Sequence, residues 1–329
     1  KGSNINRTDH VLHKPDISSA SDTETHTTFH GRAVLATLAS DFGGTRDMSG
    51  WVMRPLWQYK NWPFLIGKDI GQAVFRRYSY GNEKRVCFVA GVQRSGTNMM
   101  MNVIERHPDT YVFKEGDSRA YDEFMMRAIF RIRMLVDETI PTFVIVKALH
   151  EAHDLYWMLD FFEGSKVLWM YRDYVDVINS NQRNFDNSRN FIDEIVEDPR
   201  RGFWRGLGMT DETLAIIREH YTDDLDNNSA QALFWYYRNQ LFFDQNLDKD
   251  SRSLLIKYEP FVTNSAKYID FISEFIGLEP KKDIIRKVHS SSIRKNISPD
   301  IRSDVATLCD GMRDRLDAVF EEKVERILA

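Results

Sequence analysis

Short apolar runs, separated by longer stretches of mixed polarity, dominate the chain from residue 85 onward. Four of these runs hold five or six residues each: VCFVA (86–90), FVIVK (143–147), KVLWMY (166–171) and SLLIKY (253–258). Continuous apolar runs of this length are typical of strands buried on both faces, as in parallel sheets. We therefore predict four buried parallel strands.

Apolar residues at helical spacing lie between and after these runs. We predict helices near residues 97–106, 118–136, 151–163, 174–184, 229–246 and 264–276, and a closing amphipathic helix over 300–328. Strands that alternate with helices indicate an α/β fold of three layers, in which a central parallel sheet is flanked by helices and the crossovers are right-handed.

The remaining segments depart from this alternation. Residues 1–30 are rich in Ser, Thr, Asp, Asn and His, and we predict a mobile N-terminal arm there. Dense aromatic residues in the next fifty positions are expected to pack on the main domain. Glycines and a proline break the periodicity of residues 186–227, which we predict to be an insertion. A single domain over residues 31–329, with its core at about 85–300, accommodates these features.

Composition restricts the partners of this chain. The net charge of −5 and the pI of about 6.0 predict no nucleic-acid-binding surface. Cys87 and Cys309 lie in apolar and helical patterns, which favours two buried thiols over a disulfide framework or a zinc site. The histidines of the arm lack metal-ligand spacing, so we predict no metal.

The sequence restricts the cellular compartment less than it restricts the binding partners. No run of 18 apolar residues is present, so we predict no membrane span. We expect a soluble chain and favour the cytoplasm, with a Golgi-lumen origin as the alternative if an N-terminal anchor has been removed. A homodimer is left open.

The stretch GVQRSGTNMM, residues 91–100, has the features of a phosphate-binding loop. It joins a predicted strand to a predicted helix, whose N-terminus adds about half a positive charge. The candidate ligands are Gly91, Arg94, Ser95, Gly96, Thr97 and Asn98. A nucleotide triphosphatase needs a lysine where this loop has Thr97, so a ligand with a 5′-phosphate and one further group to transfer fits better. An ordinary glycine turn is the alternative.

A second candidate anion site follows the strand KVLWMY. Arg172 stands at the end of this strand, Asp173 can cap the next helix, and Ser180 lies eight residues after the arginine on that helix. Arg172 and Ser180 are therefore candidates to hold a second, separate phosphate. A surface salt bridge beside a solvated serine is the alternative.

Three segments in this order resemble the sulfotransferase superfamily, whose donor is 3′-phosphoadenosine 5′-phosphosulfate (PAPS). GVQRSGTNMM resembles the 5′-phosphosulfate loop in its arginine-bearing variant, and YRDYVDVINS resembles the 3′-phosphate motif. The segment LLIKYEPFVTNSAKYIDFISEFIGLEP, residues 254–280, is similar to the family's "RYEDL…FLGL" segment. The resemblance implies a P-loop-type fold and sulfuryl transfer without a metal, with 3′-phosphoadenosine 5′-phosphate (PAP) as the product.

The run RSGTNMMMNVIERHPDTYVFKEGDSR is similar to tyrosylprotein, carbohydrate and bacterial sulfotransferases, in which a loop arginine, an "HPD" turn and a glutamate follow one another. The resemblance makes Arg94 an electrostatic stabiliser, because arginine keeps its charge. It makes Glu115 the candidate general base. The alternative for Glu115 is a solvent-facing turn residue, and Asp117 and Arg119 are candidates to share its role or to bind the acceptor.

Two residues near the second predicted strand complete the catalytic candidates. Cytosolic sulfotransferases of phenols and steroids use a histidine in a "KTH" motif, whereas VKALH at residues 146–150 places its histidine one position later. His150 is therefore the alternative base, unless it has only a surface or capping role. Lys147 is a candidate to stabilise the sulfuryl oxygens, or simply to pair with a carboxylate.

The segment HSSSIRKNISPD, residues 289–300, resembles the late loop that closes over the 3′-phosphate in this family. Its candidate ligands are Ser291, Ser292, Arg294 and Lys295, although Asn296 stands where the family's "RKG" motif has glycine. A charged surface turn is the alternative. We expect the acceptor to offer a hydroxyl of a carbohydrate or small molecule. Sulfation of a protein tyrosine or an amine, and a non-catalytic nucleotide-binding role, remain alternatives.

Overall fold

The computed structural model describes residues 64–75, 83–181, 188–286, 288 and 298–328. The predicted arm and most of the aromatic segment lie outside these residues. In chain order the helices and strands are α1 (Phe64–Phe75), β1 (Arg85–Gly91), α2 (Thr97–Ile104), β2 (Thr110–Phe113), β3 (Tyr121–Asp122), β4 (Met125–Met126), α3 (Ile129–Glu138), β5 (Phe143–Lys147), α4 (Leu155–Phe161), β6 (Lys166–Tyr171), α5 (Tyr174–Asn181), α6 (Ser188–Glu197), α7 (Asp211–His220), α8 (Asn227–Asp244), β7 (Ser253–Lys257), α9 (Tyr258–Thr263), α10 (Ser265–Ile276), α11 (Ser303–Phe320) and α12 (Arg326–Leu328).

Shorter helical turns complete this order. Three 3-10 segments cover Ala152–Asp154, Pro199–Arg205 and Lys282–Ile285, and a π-helical turn covers Glu321–Glu325 between α11 and α12.

Within the described residues, five strands form one parallel sheet in the order β2-β5-β1-β6-β7. The central strand β1 pairs on both sides, so that Phe88 is opposite Val146 on β5 and Val167 on β6. Because all five strands run the same way, their carboxyl ends meet at one edge of the sheet. That edge carries the loop after β1, Lys147 at the end of β5 and Arg172 just after β6. The predicted α/β fold is confirmed.

The four predicted strands are present, and the structure adds a fifth strand, β2, to their sheet. The strand β2 holds only TYVF, which directly follows the "HPD" turn. This run is too short to predict a strand from the sequence. SLLIKY ends its strand one residue early, since Tyr258 begins α9.

The helix predicted from residue 118 is wrong over its first half, because α3 begins at Ile129. The preceding residues form a two-stranded hairpin, β3 and β4, whose turn residues Glu123 and Phe124 have φ of 45° and 71°. Tertiary contacts fix this hairpin. The Tyr121 hydroxyl donates to the Lys147 carbonyl at 2.8 Å, which overrides the helical pattern of the local sequence.

The core lies on both faces of the sheet and includes both cysteines. Cys87 and Cys309 are free and buried, as predicted, and burial raises the pKa of each thiol. Helix α8 packs on the end of β6, where Trp235 donates its indole N–H to the Arg172 carbonyl at 2.9 Å. Of the helices that the structure describes, none combines the length and apolar character needed to cross a membrane.

The conformation at the end of β1 predicts a strong sensitivity to side-chain bulk. Gly91 has a φ of 133°, and an added β-carbon would overlap the Met170 carbonyl oxygen on the neighbouring strand. We expect Gly91→Ala to lower the free energy of unfolding by about 2–4 kcal/mol, measured by urea denaturation.

The matched control is Gly311→Ala in α11, where an added β-carbon meets nothing within 4 Å. Alanine is the better helix former there, so this variant should gain roughly 0.5–1 kcal/mol. Equal stability of the wild type and Gly91→Ala would contradict the close approach of β1 to β6.

Candidate functional site

A cleft of about 380 Å³ opens at the carboxyl edge of the sheet. Its lining comes from the loop after β1, the start of α2, and the ends of β5, β6 and β7. The lining residues are Gln93, Arg94, Gly96, Thr97, Asn98, Met99, Glu115, Lys147, Leu149, Arg172, Ser180 and Tyr258. The structure therefore brings eight of the predicted site residues to one cavity.

The loop after β1 is a tight turn that leads directly into α2. Ser95 N–H donates to the Val92 carbonyl at 3.2 Å, and Arg94 and Gly96 have φ of 68° and 96°. A β-carbon at Gly96 would lie 2.5 Å from the ring of Tyr258, so only glycine leaves room there. Gly96 caps α2 without a side-chain hydrogen bond. The first N–H groups of the helix thus face the cleft with the positive end of the helix dipole.

The two predicted anion positions meet in this cleft. Arg94 Nε donates to Ser180 Oγ at 2.9 Å, and Arg172 Nη1 donates to the Arg94 carbonyl at 3.5 Å. Arg172 also pairs with Asp176 at 3.3 Å and lies over the ring of Tyr258, 4.6 Å from its centroid. The stack and the ion pair hold the guanidinium in one orientation beside the loop.

A buried ion pair lies at the other side of the cleft. Lys147 Nζ contacts Glu115 Oε2 at 2.5 Å and donates to Asn98 Oδ1 at 2.9 Å. Burial lowers the pKa of Lys147, and Glu115 partly opposes this shift. Among the residues that the structure describes, Glu115 Oε1 has no hydrogen-bond partner. One carboxylate oxygen is held by the lysine, and the other is buried with its lone pairs unused.

A family profile described as sulfotransferase domain matches residues 84–320, which include every residue that lines the cleft. The chain belongs to the sulfotransferase domain family. No curated protein sequence matches it significantly.

Solved sulfotransferase structures resemble this sulfotransferase domain distantly. A sulfotransferase from Alicyclobacillus acidocaldarius is 16% identical with a TM-score of 0.47, and the match covers 73% of this chain and 97% of that one. The sulfotransferase domain of the Synechococcus PCC 7002 olefin synthase is 14% identical with a TM-score of 0.45, over 70% and 95% of the two chains. Mouse sulfotransferase SULT7A1, complexed with PAP, is 18% identical with a TM-score of 0.35, over 76% and 90%.

Three predicted residues of the sulfotransferase domain stand apart from the cleft lining. Gly91 lies at the end of β1, against Met170, and Ser95 is fully buried with no hydrogen-bond partner for its hydroxyl among the described residues. His150 is also outside the lining. The predicted ligands of the late loop, Ser291, Ser292, Arg294 and Lys295, lie outside the described residues.

His150 is buried, and the cationic side chains of Lys147, Arg205 and Arg238 lie close enough to oppose its protonation. Its Nδ1–H donates to the Phe124 carbonyl at 3.0 Å, and its ring lies 4.1 Å from the ring of Trp204. Burial lowers the pKa of His150 to about 4, against the opposing effect of the Phe124 carbonyl. The imidazole therefore stays uncharged at neutral pH and fixes the β3–β4 turn.

Four lining residues were missed by the sequence analysis: Gln93, Met99, Leu149 and Tyr258. Tyr258 had a usable signal, because it directly follows a predicted strand whose carboxyl end must lie at the edge of the sheet that carries the loop. In the ranges that the structure covers, no group of three His, Cys, Asp or Glu side chains is arranged to hold a metal ion.

The burial of His150 predicts a pH dependence of stability. Its folded pKa of about 4 lies below the usual 6.5, so the unfolded chain takes up a proton that the folded chain does not. This contribution to stability is present above pH 6.5 and is lost as the pH falls from about 6.5 to about 4, by up to about 1.4 kcal/mol per pH unit. We expect the stability difference between the wild type and His150→Gln to decrease across this window, measured by urea denaturation. A difference that stays constant with pH would contradict the neutral, buried imidazole.

Proposed function

We propose that this sulfotransferase domain transfers a sulfuryl group from PAPS to a hydroxyl of a carbohydrate or small-molecule acceptor, without a metal. One observation carries the proposal. Glu115, whose Oε1 has no hydrogen-bond partner among the described residues, shares a cleft with the two arginines that suit the two ends of a bisphosphorylated nucleotide. Family membership supports the reaction class.

The cleft fits the nucleotide part of the donor at two points. The uncapped first turn of α2 and the loop before it suit a 5′-phosphate, because backbone N–H groups and the helix dipole face the same space. Arg172 and Ser180 suit a 3′-phosphate, since guanidinium and hydroxyl groups are both donors to phosphate oxygens. Arg94 links the two positions, because its side chain contacts Ser180 and its carbonyl contacts Arg172.

The chemistry needs fixed positive charge and one base. PAPS, when bound, supplies the sulfuryl group, whose bond from sulfur to the phosphate oxygen breaks with its electron pair left on the phosphate as the bond to the acceptor oxygen forms. Arg94, Lys147 and the N-terminus of α2 provide positive charge where the leaving phosphate and the sulfuryl oxygens become more negative. Glu115 Oε1 takes the proton of the acceptor hydroxyl.

The placement of the two candidate bases favours Glu115 over His150. Glu115 lines the cleft, whereas the His150 ring is covered by Trp204 and its Nδ1–H is committed to the Phe124 carbonyl. Lys147 also holds Glu115 in place, because its ammonium group contacts Oε2 and leaves Oε1 without a hydrogen-bond partner among the described residues.

The two-arginine arrangement predicts a ligand preference. At a concentration 100 times its dissociation constant, PAP should stabilise the protein by about 2.7 kcal/mol. Mg·ATP at the same concentration should stabilise it much less. Arg172→Gln should weaken PAP at least tenfold, yet leave adenosine 5′-phosphate within about twofold, because a charge-assisted hydrogen bond contributes about 1.5–3 kcal/mol. Calorimetric titration measures both affinities.

Two comparisons make this test specific. Arg172→Lys keeps the charge beside Asp176, so it shows whether the PAP affinity lost in Arg172→Gln results from a folding defect. Equal weakening of PAP and adenosine 5′-phosphate by Arg172→Gln would show that Arg172 serves the fold. Equal stabilisation by PAP and Mg·ATP would count against PAPS as the donor.

The role of Glu115 predicts a separation of turnover from binding. Glu115→Gln should lower kcat by about a hundred- to ten-thousand-fold and leave PAP affinity within about threefold, because it removes the base but not the anion sites. Turnover is measured with labelled PAPS and an acceptor pool, followed by mass identification of the product.

The control is Glu274→Gln on the exposed side of α10, which should leave both turnover and PAP affinity unchanged. Retained turnover in Glu115→Gln would remove Glu115 from the mechanism, and PAP binding with no turnover in the wild type would indicate a non-catalytic member of the family.

A further inference from the structure

We propose that the acceptor carries a carboxylate or sulfate group, which binds in a second cavity lined by arginines beside the transfer site. This inference rests on the proposed function and names the substrate class of the same site. The cavity has a volume of about 530 Å³, within the range of small-molecule sites. Its lining residues are Ser118, Arg119, Arg127, Ala128 and Arg131.

The charges around this cavity do not cancel. Arg119 is paired with the fully buried Asp117 through Nε–Oδ1 at 2.8 Å and Nη2–Oδ2 at 2.5 Å. Arg127 is 3.7 Å from Asp122, whose side chain is 73% exposed, and such exposed pairs contribute little. Among the described residues, no carboxylate lies within 4 Å of the Arg131 guanidinium, and the first turn of α3 holds no acidic residue. Arg131, which is exposed, therefore has no carboxylate partner among these residues.

The three arginines of this cavity contrast with the net charge of the whole chain, which is −5. Arg131 is an exposed residue in the first turn of α3, where the helix dipole is also positive, so the electrostatics of the helix do not favour an arginine there. A residue that is unfavourable for its local structure and has no compensating contact often marks a functional site. An anion in the cavity would supply the missing compensation.

A single short loop connects this cavity to the transfer site. Glu115 lines the cleft, and Ser118 and Arg119 line the cavity, so at most four residues separate the two. Four residues span no more than about 14 Å even when fully extended. The loop is also compact, because Asp117 N–H donates to the Lys114 carbonyl at 2.8 Å and Ala120 N–H donates to the Asp117 carbonyl at 2.9 Å.

Side-chain contacts hold this loop in place. Arg119 Nη2 donates to the Tyr111 hydroxyl at 2.8 Å, and the Tyr121 hydroxyl donates to the Lys147 carbonyl at 2.8 Å. Glu115 and Arg119 are therefore held in one compact, packed loop. A small acceptor fits this arrangement when its hydroxyl lies at Glu115 and its anionic group lies among the arginines.

The test uses three sugars that differ at one carbon: methyl β-D-glucopyranoside, its 6-uronate and its 6-sulfate. Binding of each to the full chain is measured by calorimetry with and without saturating PAP. We expect one or both anionic sugars to bind at least tenfold more tightly than the neutral one. Preference for the uronate names a carboxylate as the source, and preference for the sulfate names a sulfated acceptor.

Variants then assign the preference to the cavity. Arg131→Gln should lose roughly tenfold in affinity for the preferred anionic sugar, while Arg131→Lys keeps most of it, because one charge-assisted contact is removed in the first case and only reshaped in the second. Both variants should bind the neutral sugar and PAP as the wild type does. The control is Arg326→Gln, at an exposed arginine of α12 on the far side of the sheet from β2, which should change none of these affinities.

Several outcomes would overturn the inference. They are equal affinity for the three sugars, no measurable binding of any of them, or an Arg131→Gln variant that loses affinity for all three alike. Arg131-dependent binding of an acidic tyrosyl peptide alone would replace a small acid with a protein acceptor. If the wild type still binds PAP in these cases, the proposed donor is retained. If the wild type does not bind PAP, the donor is refuted, and the comparison of the three sugars without PAP still tests the acceptor proposal.

Discussion

Parallel pairing of β1 with both β5 and β6 is the constraint on which the site depends. The register places Val89 opposite Lys147 and Gly91 opposite Met170, so the turn after β1 starts level with the ends of its two neighbours. Slippage by one residue in a strand would turn its side chains to the opposite face. Gly91 enforces the close approach of β1 to β6, because the Met170 carbonyl leaves no room for a β-carbon. The cleft is thus a consequence of strand register.

Buried charges at this edge are held mainly by hydrogen bonds to neighbouring segments. Arg238 on α8 is 1% exposed and donates to the Leu149 carbonyl at 2.7 Å and to the Trp204 carbonyl at 3.3 Å. Burial lowers its pKa, and the carbonyl oxygens compensate part of the lost hydration. The guanidinium joins the end of β5 to the segment over His150. The wall of the cleft beside Leu149 is therefore fixed from behind.

Strained backbone occurs in the loop after β1 and in the β3–β4 turn. Among the described non-glycine residues, positive φ is found at Arg94, Glu123, Phe124, Phe203 and Asn246, a conformation that costs about 1–3 kcal/mol. Such conformations persist only where surrounding contacts determine them. Arg94 is held by Ser180 and Arg172, and the Phe124 carbonyl accepts the hydrogen bond of His150.

Four of the five strands of the parallel sheet, most of the helices and the tight turn after β1 were predictable from the sequence, because each depends on local patterns: apolar runs, glycine spacing and helical periodicity. The hairpin at Tyr121, the short strand TYVF and the covered position of His150 were not, because long-range contacts decide them. The sequence could name Glu115 and His150 as rival bases only by resemblance. The tertiary structure distinguishes their surroundings, since Glu115 lines the cleft in an ion pair with Lys147, while the imidazole packs against Trp204 outside the lining. Local sequence determines which groups are present, and the register of distant strands determines which of them face the same space.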